Sequence, residues 1–583
     1  MEYVLSDRKL LPYGMMNFED IRLDNYYYVD KTAFIPLIEQ SDRFFFFIRP
    51  RRFGKSLTLN MLQHYYDIRT KDKFDALFGD LYIGKHPTKD RNSYLVIKLN
   101  FSGISGDLHS YRKGLDEHCK IVFDYFCDVY ADYLPEGIKE KMNEKDGAVS
   151  QFEYLFTECA RVNQKIYLFI DEYDHFTNTI LSDVDSMNRY TDETHKEGYL
   201  RAFFNKIKSG TDSSIKRCFI TGVSPVTMDD LTSGFNIGWN ISTDHQFNMM
   251  LGFSETDVRE MIQYYKDAGQ LPGNTNIDAM IEEMRPWYDN YCFAEESLER
   301  DPKMFNCDMV FYYLRHYMTL GKSPKEMIDP NTRTDYNKMK KLIRLDKLDG
   351  NRKGVLRKIT EDGQIVTTLT TTFPATDITK PEIFPSLLFY YGMLTITATR
   401  GNYLVLSIPN NNVRKQYYEF LLEEYQDNRH INLNDLGLMY YEMAYDGHWR
   451  ETLEFIAHAY KENSSVRNAI EGERNLQGFF TAYLSTNAYY LIAPEVELNH
   501  GYCDLFLMPD LIRYDVKHSY IIELKYLSVK DSEAKAEAQW QEAVEQIKGY
   551  AVGPKVRQMV HATELHCIVM QFRGWELERM EEV

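Results

Sequence analysis

The sequence predicts an α/β multidomain protein in which two α/β segments flank a helical middle. Three observations carry this expectation. Short apolar runs alternate with helical stretches from residue 26 to about 250, residues 254 to about 345 read mostly as helix, and the last hundred residues read strand, strand, helix, strand. At roughly 150 residues per domain, 583 residues allow about three to four domains.

The first segment opens with Phe44 to Ile48, an apolar run stopped by Arg49-Pro50, followed by amphipathic spacing from Leu57 to Tyr66. Tyr94 to Asn100, Ile166 to Ile170 and Cys218 to Thr221 are further apolar runs of this kind. Such runs between helices are the pattern of parallel strands buried on both faces. Ser254-Glu255-Thr256-Asp257 starts the helical middle as an N-cap followed by acids. A helical stretch at Leu387 to Gly392 then leads into Leu394 to Thr397 and Tyr403 to Ser407, separated by Arg400-Gly401-Asn402. A helix followed by a hairpin is the outline of a winged-helix unit. Helices return from 411 to about 485. Strands at Leu505 to Met508 and Tyr520 to Leu524, a helix from about 531 to 551, and a strand at Cys567 to Phe572 close the chain. The expected divisions are 1–252, 253–425, a helical connector 426–470, and 471–583.

Lys and Arg total 68 against 87 Asp and Glu, a net charge of −19, so any nucleic-acid contact needs a local basic patch. Apolar content of 44% and charged content of 27% exclude a disordered scaffold. The 44 tyrosines are read as aromatic-rich cores rather than base-stacking platforms. The eight cysteines form no C-x-x-C pair, which argues against a zinc site or disulfide framework. No apolar stretch reaches the roughly 18 residues of a membrane span, and the start lacks signal-peptide character. A soluble cytoplasmic protein is expected. Fifteen histidines without H-x-x-x-H spacing read as core or surface residues, His64, His175 and His245 included.

Gly54-Lys55-Ser56 falls where a strand gives way to a helix. Backbone N–H groups there hold phosphate, the lysine reaches the β/γ oxygens, and the serine hydroxyl ligates Mg²⁺. Position 49, where the general G-x-x-x-x-G-K-[ST] loop has glycine, is Arg49. An apolar strand ending in Asp171-Glu172 offers one carboxylate to Mg²⁺ and a second, Glu172, to polarise the attacking water. The Thr221 hydroxyl ends a third strand and is placed to sense the γ-phosphate. The expected nucleotide set is thus Arg52, Phe53, Gly54, Lys55, Ser56, Leu57, Asp171 and Thr221, with ATP as ligand and Ser56 and Asp171 on Mg²⁺. The cluster Arg49, Arg51 and Arg52 is assigned to the nucleotide's charge rather than to DNA.

Tyr28-Val29-Asp30-Lys31-Thr32, Arg49 to Ser56, Ile170 to Asp174, Thr221 to Pro225, Leu231 to Asn236 and Gly252-Phe253 together resemble the AAA-ATPase-like family of bacterial proteins. That family carries arginine where the general loop has its first glycine. The resemblance spans roughly the first 300 residues and implies a P-loop NTPase parallel sheet that binds ATP.

Near the C-terminus, Asp504 precedes a strand carrying Glu523 and Lys525, whose i, i+2 spacing puts both on one face. If the strands pair, Asp504 and Glu523 can share a divalent ion while Lys525 orients water and offsets charge on phosphate. Asp515-Val516-Lys517 and Glu533-Ala534-Lys535 match the same tripeptide, but only 523–525 follows an apolar strand; a solvated strand end is the plain alternative. Glu497 and Glu473 are candidate further acids, and Gln546 and Tyr550 share a helix face. The segment resembles the PD-(D/E)xK nuclease superfamily: Asp504 matches its first acid, Glu523 and Lys525 its E-x-K, and Gln546 and Tyr550 a Q-x-x-x-Y. It departs in having Gly-Tyr-Cys-Asp where relatives usually carry Gly-Arg-x-Asp, which keeps the acid but removes a cation for DNA. The resemblance implies a C-terminal α/β restriction-endonuclease-like domain.

The resulting expectation is an ATPase bearing a Mg²⁺-dependent nuclease, with Glu172, Asp504, Glu523 and Lys525 catalytic and Asp504 and Glu523 holding metal. Its partners would be a nucleotide and nucleic acid, with self-association left open. The rival is a nucleotide-dependent switch whose C-terminal module binds a partner without cutting.

Overall fold

The computed structural model describes residues 8–104, 111–175, 198–225, 237–300, 303–332, 352–374, 377, 380–425, 433–462, 472–498 and 501–583. They form two compact units, one of residues 1–355 with 364–411, the other of 356–363 with 412–583. The expected boundary at 252 therefore falls inside a unit. Gly252 N–H donates to the Phe53 carbonyl and Phe253 bridges to Phe305, so the helical middle is built onto the phosphate loop.

The first unit is organised by a five-stranded parallel sheet: β1 (Phe44–Ile48), β2 (Leu95–Asn100), β3 (Ile166–Asp171), β4 (Ile215–Gly222) and β5 (Trp239–Asn240), in the order β2-β3-β4-β1-β5. Every residue of β3 is buried, which is why it reads as continuous apolar sequence. β4 lies between the strand feeding the phosphate loop and the strand ending in Asp171, so both strand ends open on the same edge, where open α/β sheets bind ligands. The helix Glu255–Asp267 starts with a reciprocal cap in which Ser254 and Asp257 each bond the other's backbone. Helices Ile277–Tyr288 and Cys307–Leu320 follow, then helix Phe384–Tyr390. The expected hairpin is present as β7 (Thr395–Arg400) and β8 (Tyr403–Ser407). A strand the sequence did not announce, β6 (Gln364–Thr367), joins it in the order β6-β8-β7.

The second unit has helices Leu433–Asp446, Trp449–Glu462 and Glu473–Leu484 before a mixed sheet. Its strands are β9 (Tyr490–Leu498), β10 (Gly501–Pro509), β11 (His518–Leu527), β12 (Glu564–Arg573) and β13 (Glu576–Glu582), ordered β13-β12-β11-β10-β9. Only β11 and β12 pair in parallel, as the intervening helix Glu533–Ala551 requires. That helix buries Trp540, Ala543, Ile547 and Tyr550 against Cys503, Phe506, Ile521 and Val569. Among the described residues no helix is long and apolar enough to cross a membrane.

Candidate functional site

β1 ends in a loop that Gly54 turns into the helix Lys55–Tyr66 at φ +92°, a left-handed conformation that glycine adopts without strain. The Lys55 ammonium folds back onto the Arg49 and Pro50 carbonyls at 2.9 and 2.8 Å. Burial lowers its pKa to about 8, against the pull of Asp171, Asp174 and Glu172. The Ser56 hydroxyl donates to Asp171 Oδ2 at 2.9 Å, bringing together the two groups expected on Mg²⁺. Burial raises the Asp171 carboxyl, and Lys98 of β2 and Lys55 oppose that shift; Lys98 is a neighbour the motifs did not indicate. Glu172 is instead held below its ordinary value, first by the neighbouring His175 and then by Arg51 and Lys55. His175 thus belongs to this site, its Nδ1 3.6 Å from Glu172 Oε2, contrary to its reading as an ordinary residue.

A cavity of about 400 Å³ lies over this loop, in the range of small-ligand sites. Its lining includes the phosphate-loop residues Arg51 to Leu57 and Glu172, together with Tyr28, Met250, Leu251 and Phe253. Arg52 reaches Asp308 at 2.9 Å. The YVDKT segment frames the cavity: Asp30 caps Thr32 and the Tyr82 N–H, while Lys31 pairs with Asp257 at 2.7 Å.

Two expected roles are corrected. Arg49 does not face the nucleotide loop's ligand. It is 1% exposed, donates to the carbonyls of Ile48, Ser242 and Phe247, and lies between the Phe47 and Phe293 rings at 4.4 and 4.2 Å. Thr221 is fully buried, and its hydroxyl donates to the Phe47 carbonyl at 2.7 Å, so it locks β4 to β1 instead of sensing phosphate. The Leu231–Asn236 segment lies outside the described residues.

In the second unit, β10 and β11 pair as expected, with Leu505 opposite Ile522. Asp504 Oδ2 accepts the Leu524 N–H at 2.7 Å, and Gln477 Nε2 donates to the Asp504 carbonyl at 2.8 Å. The Lys525 ammonium lies 2.8 Å from Glu523 Oε1, 3.5 Å from Glu473 Oε1 and 3.9 Å from Asp504 Oδ2. Burial and mutual repulsion push Asp504 up; burial does the same to Glu523, and the surrounding acids raise Lys525. Glu523 Oε2 is buried with no hydrogen-bond partner. Three acids around one ammonium, one with an orphaned oxygen, are a donor set that fits a divalent cation.

Glu473, on the first turn of its helix, is thus the further acid. Glu497 is paired through its backbone with Tyr502, and its side chain lies outside the described part. Tyr550 reaches the site's rim, its hydroxyl donating to the Tyr502 carbonyl at 3.0 Å, whereas Gln546 contacts Glu542. Gln477 was not expected; a glutamine one helical turn after Glu473 was its only sequence signal.

Two family models match this chain, one over each site. Residues 12–232 match the family described as predicted AAA-ATPase, and residues 471–582 match the PD-(D/E)XK nuclease superfamily. An uncharacterised protein from the vnfD 5′ region of Azotobacter chroococcum mcd 1 is 30% identical over 302 residues, half of each chain. The chain therefore spans about half the length of this curated relative. Among solved structures, Cdc6p from Pyrobaculum aerophilum is 13% identical with a TM-score of 0.24, over 72% of this chain and 97% of that one. The Aeropyrum pernix ORC2 protein is 10% identical with a TM-score of 0.28, over 68% and 92%.

Proposed function

From a chain that carries an AAA-ATPase-like domain and a PD-(D/E)XK nuclease superfamily domain, we propose an ATP-hydrolysing protein whose second unit cleaves nucleic acid. Its setting is the bacterial cytoplasm, where eight buried free cysteines stay reduced, and its role is in handling foreign or damaged DNA. The observation that carries the nuclease reading is the unpartnered Glu523 oxygen beside Asp504, Glu473 and Lys525.

In the first unit, the loop Arg52–Leu57 holds the phosphates through backbone N–H groups and the helix N-terminus. Lys55 would leave the Arg49 and Pro50 carbonyls for the β/γ oxygens. Ser56 and Asp171 would hold Mg²⁺, and Glu172, kept ionised by His175, Arg51 and Lys55, orients the attacking water. In the second unit, Asp504 and Glu523 would hold a divalent cation, which supplies Lewis acidity at the phosphodiester. Lys525 orients a water and neutralises charge that builds on the phosphate oxygens.

The test is Mg²⁺- or Mn²⁺-dependent cleavage of supercoiled, linear and single-stranded DNA, with and without ATP. Cleavage that drops about 100- to 1,000-fold in Lys525→Ala supports the reading. A second reading, a nucleotide-dependent switch that binds without cutting, is favoured by the exposed Tyr502 standing where a DNA-binding arginine is usual. ATP hydrolysis without cleavage of any substrate would establish it.

A further inference from the structure

We propose that His518, His566 and Glu564 form a transition-metal site suited to Zn²⁺, separate from the Asp504–Glu523–Lys525 cluster. His518 and Glu564 open the parallel strands β11 and β12 directly opposite each other, and His566 follows two residues later on the same face. His518 Nδ1 lies 2.9 Å from His566 Nε2 and 3.6 Å from Glu564 Oε2, and all three donor atoms fall within 4.8 Å of one another.

An outer partner fixes the tautomer of His566. His566 Nδ1 lies 2.7 Å from Glu582 Oε1 on β13, and Glu582 Oε2 is itself held by Trp449 Nε1 at 3.2 Å. A carboxylate only accepts, so His566 carries its proton on Nδ1 and leaves Nε2 bare. His518 Nδ1 faces that bare nitrogen and donates its proton to it in the metal-free protein. Moving that proton to His518 Nε2, the other tautomer of the ring, leaves two lone pairs converging across 2.9 Å.

A metal ion satisfies both lone pairs at once. Two imidazoles and a carboxylate are a borderline-soft set that suits zinc, with a fourth position for water. Bonds of about 2.0–2.1 Å spread tetrahedral nitrogens to roughly 3.3 Å, so the rings need part by only a few tenths of an ångström. Glu582 behind His566 repeats the carboxylate–histidine–metal arrangement that orients such ligands. The exposed Glu564 gives the ion its approach. Glu523 lies five residues along β11, about 16 Å away at strand rise, so the two sites do not share ligands.

The experiment titrates the chelator-stripped protein of residues 1–583 with Zn²⁺ against a chromophoric chelator, in an Asp504→Asn/Glu523→Gln background that disables the other acids. One tight equivalent is expected, and Co²⁺ in its place should give the visible absorption of a four-coordinate site. His518→Gln and His566→Gln should each weaken binding by more than about 100-fold, and Glu582→Gln by about 10- to 100-fold at unchanged stoichiometry. Absence of a tight equivalent in the background protein overturns the proposal, as does its persistence in the His518→Gln/His566→Gln double variant. If the His566 variants fail to fold, His518→Gln, near the surface, decides alone.

Discussion

Arg49 occupies the position at which a general phosphate loop has glycine, and its side chain turns away from the ligand into protein. Its guanidinium bonds carbonyls of Ile48, Ser242 and Phe247, so Arg49→Gly, which restores the general motif, is expected to destabilise the fold by about 2–4 kcal/mol. Urea unfolding measures this, and an unchanged midpoint would refute the role. Glu172→Gln should retain ATP binding and lose about 100-fold or more in hydrolysis. Gly54-Lys55-Ser56 and Asp171 were legible because contiguous residues carry them; the direction of Arg49 was not, since two of its three acceptors, Ser242 and Phe247, lie almost 200 residues later. At the second cluster, Asp504 is raised above its ordinary value by burial, first, and by Glu523. A raised carboxyl favours folding while protonated and loses that contribution as pH rises out of the ordinary carboxylate range. Metal-free Asp504→Asn should therefore gain stability over the parent as pH rises toward neutrality, and added Mg²⁺ should narrow the gap. A gap independent of pH would count against this.

At the level of elements, β4 and the loop after β3 form one joint. Asp174 accepts N–H bonds from Val223 and Ser224, and a Cβ on Gly222 would fall 2.4 Å from Asp174 Oδ1 and 2.7 Å from the Tyr173 ring. Gly222→Ala should therefore displace the Asp171–Asp174 turn, lower ATPase turnover and lower the thermal midpoint, while a change to neither would disprove the joint. The buried strands β1, β3, β4, β10, β11 and β12 were visible as apolar runs. β6 and β13 were not, because each lies at a sheet edge and carries no apolar run, whereas β9 opens on apolar Tyr490 to Ala493 just after a helix, where a short apolar run does not tell strand from helix. β13 reads Glu-Leu-Glu-Arg-Met-Glu-Glu and buries only Met580. The His518–His566 pair was hidden for a related reason: its members lie 48 residues apart and meet only through strand register.

Across the whole molecule, the two compact units should respond to different ligands. Mg²⁺–ATP at 100 times its dissociation constant adds about 2.7 kcal/mol to the unit it binds. Calorimetry is expected to show one transition moving with nucleotide and another with Zn²⁺; a single transition moved equally by both would contradict this division. The chain's two-part character was legible from the two α/β stretches, but the helical middle divides between the units because Gly252 and Phe253 bind it to the phosphate loop. All eight cysteines are buried, six in the first unit and Cys503 and Cys567 in the second. The native protein should therefore resist alkylation, and each labelled thiol becomes a clock for the opening of its own unit. Cys503, one residue from Asp504, would time by mass spectrometry how often the nuclease-like sheet breathes.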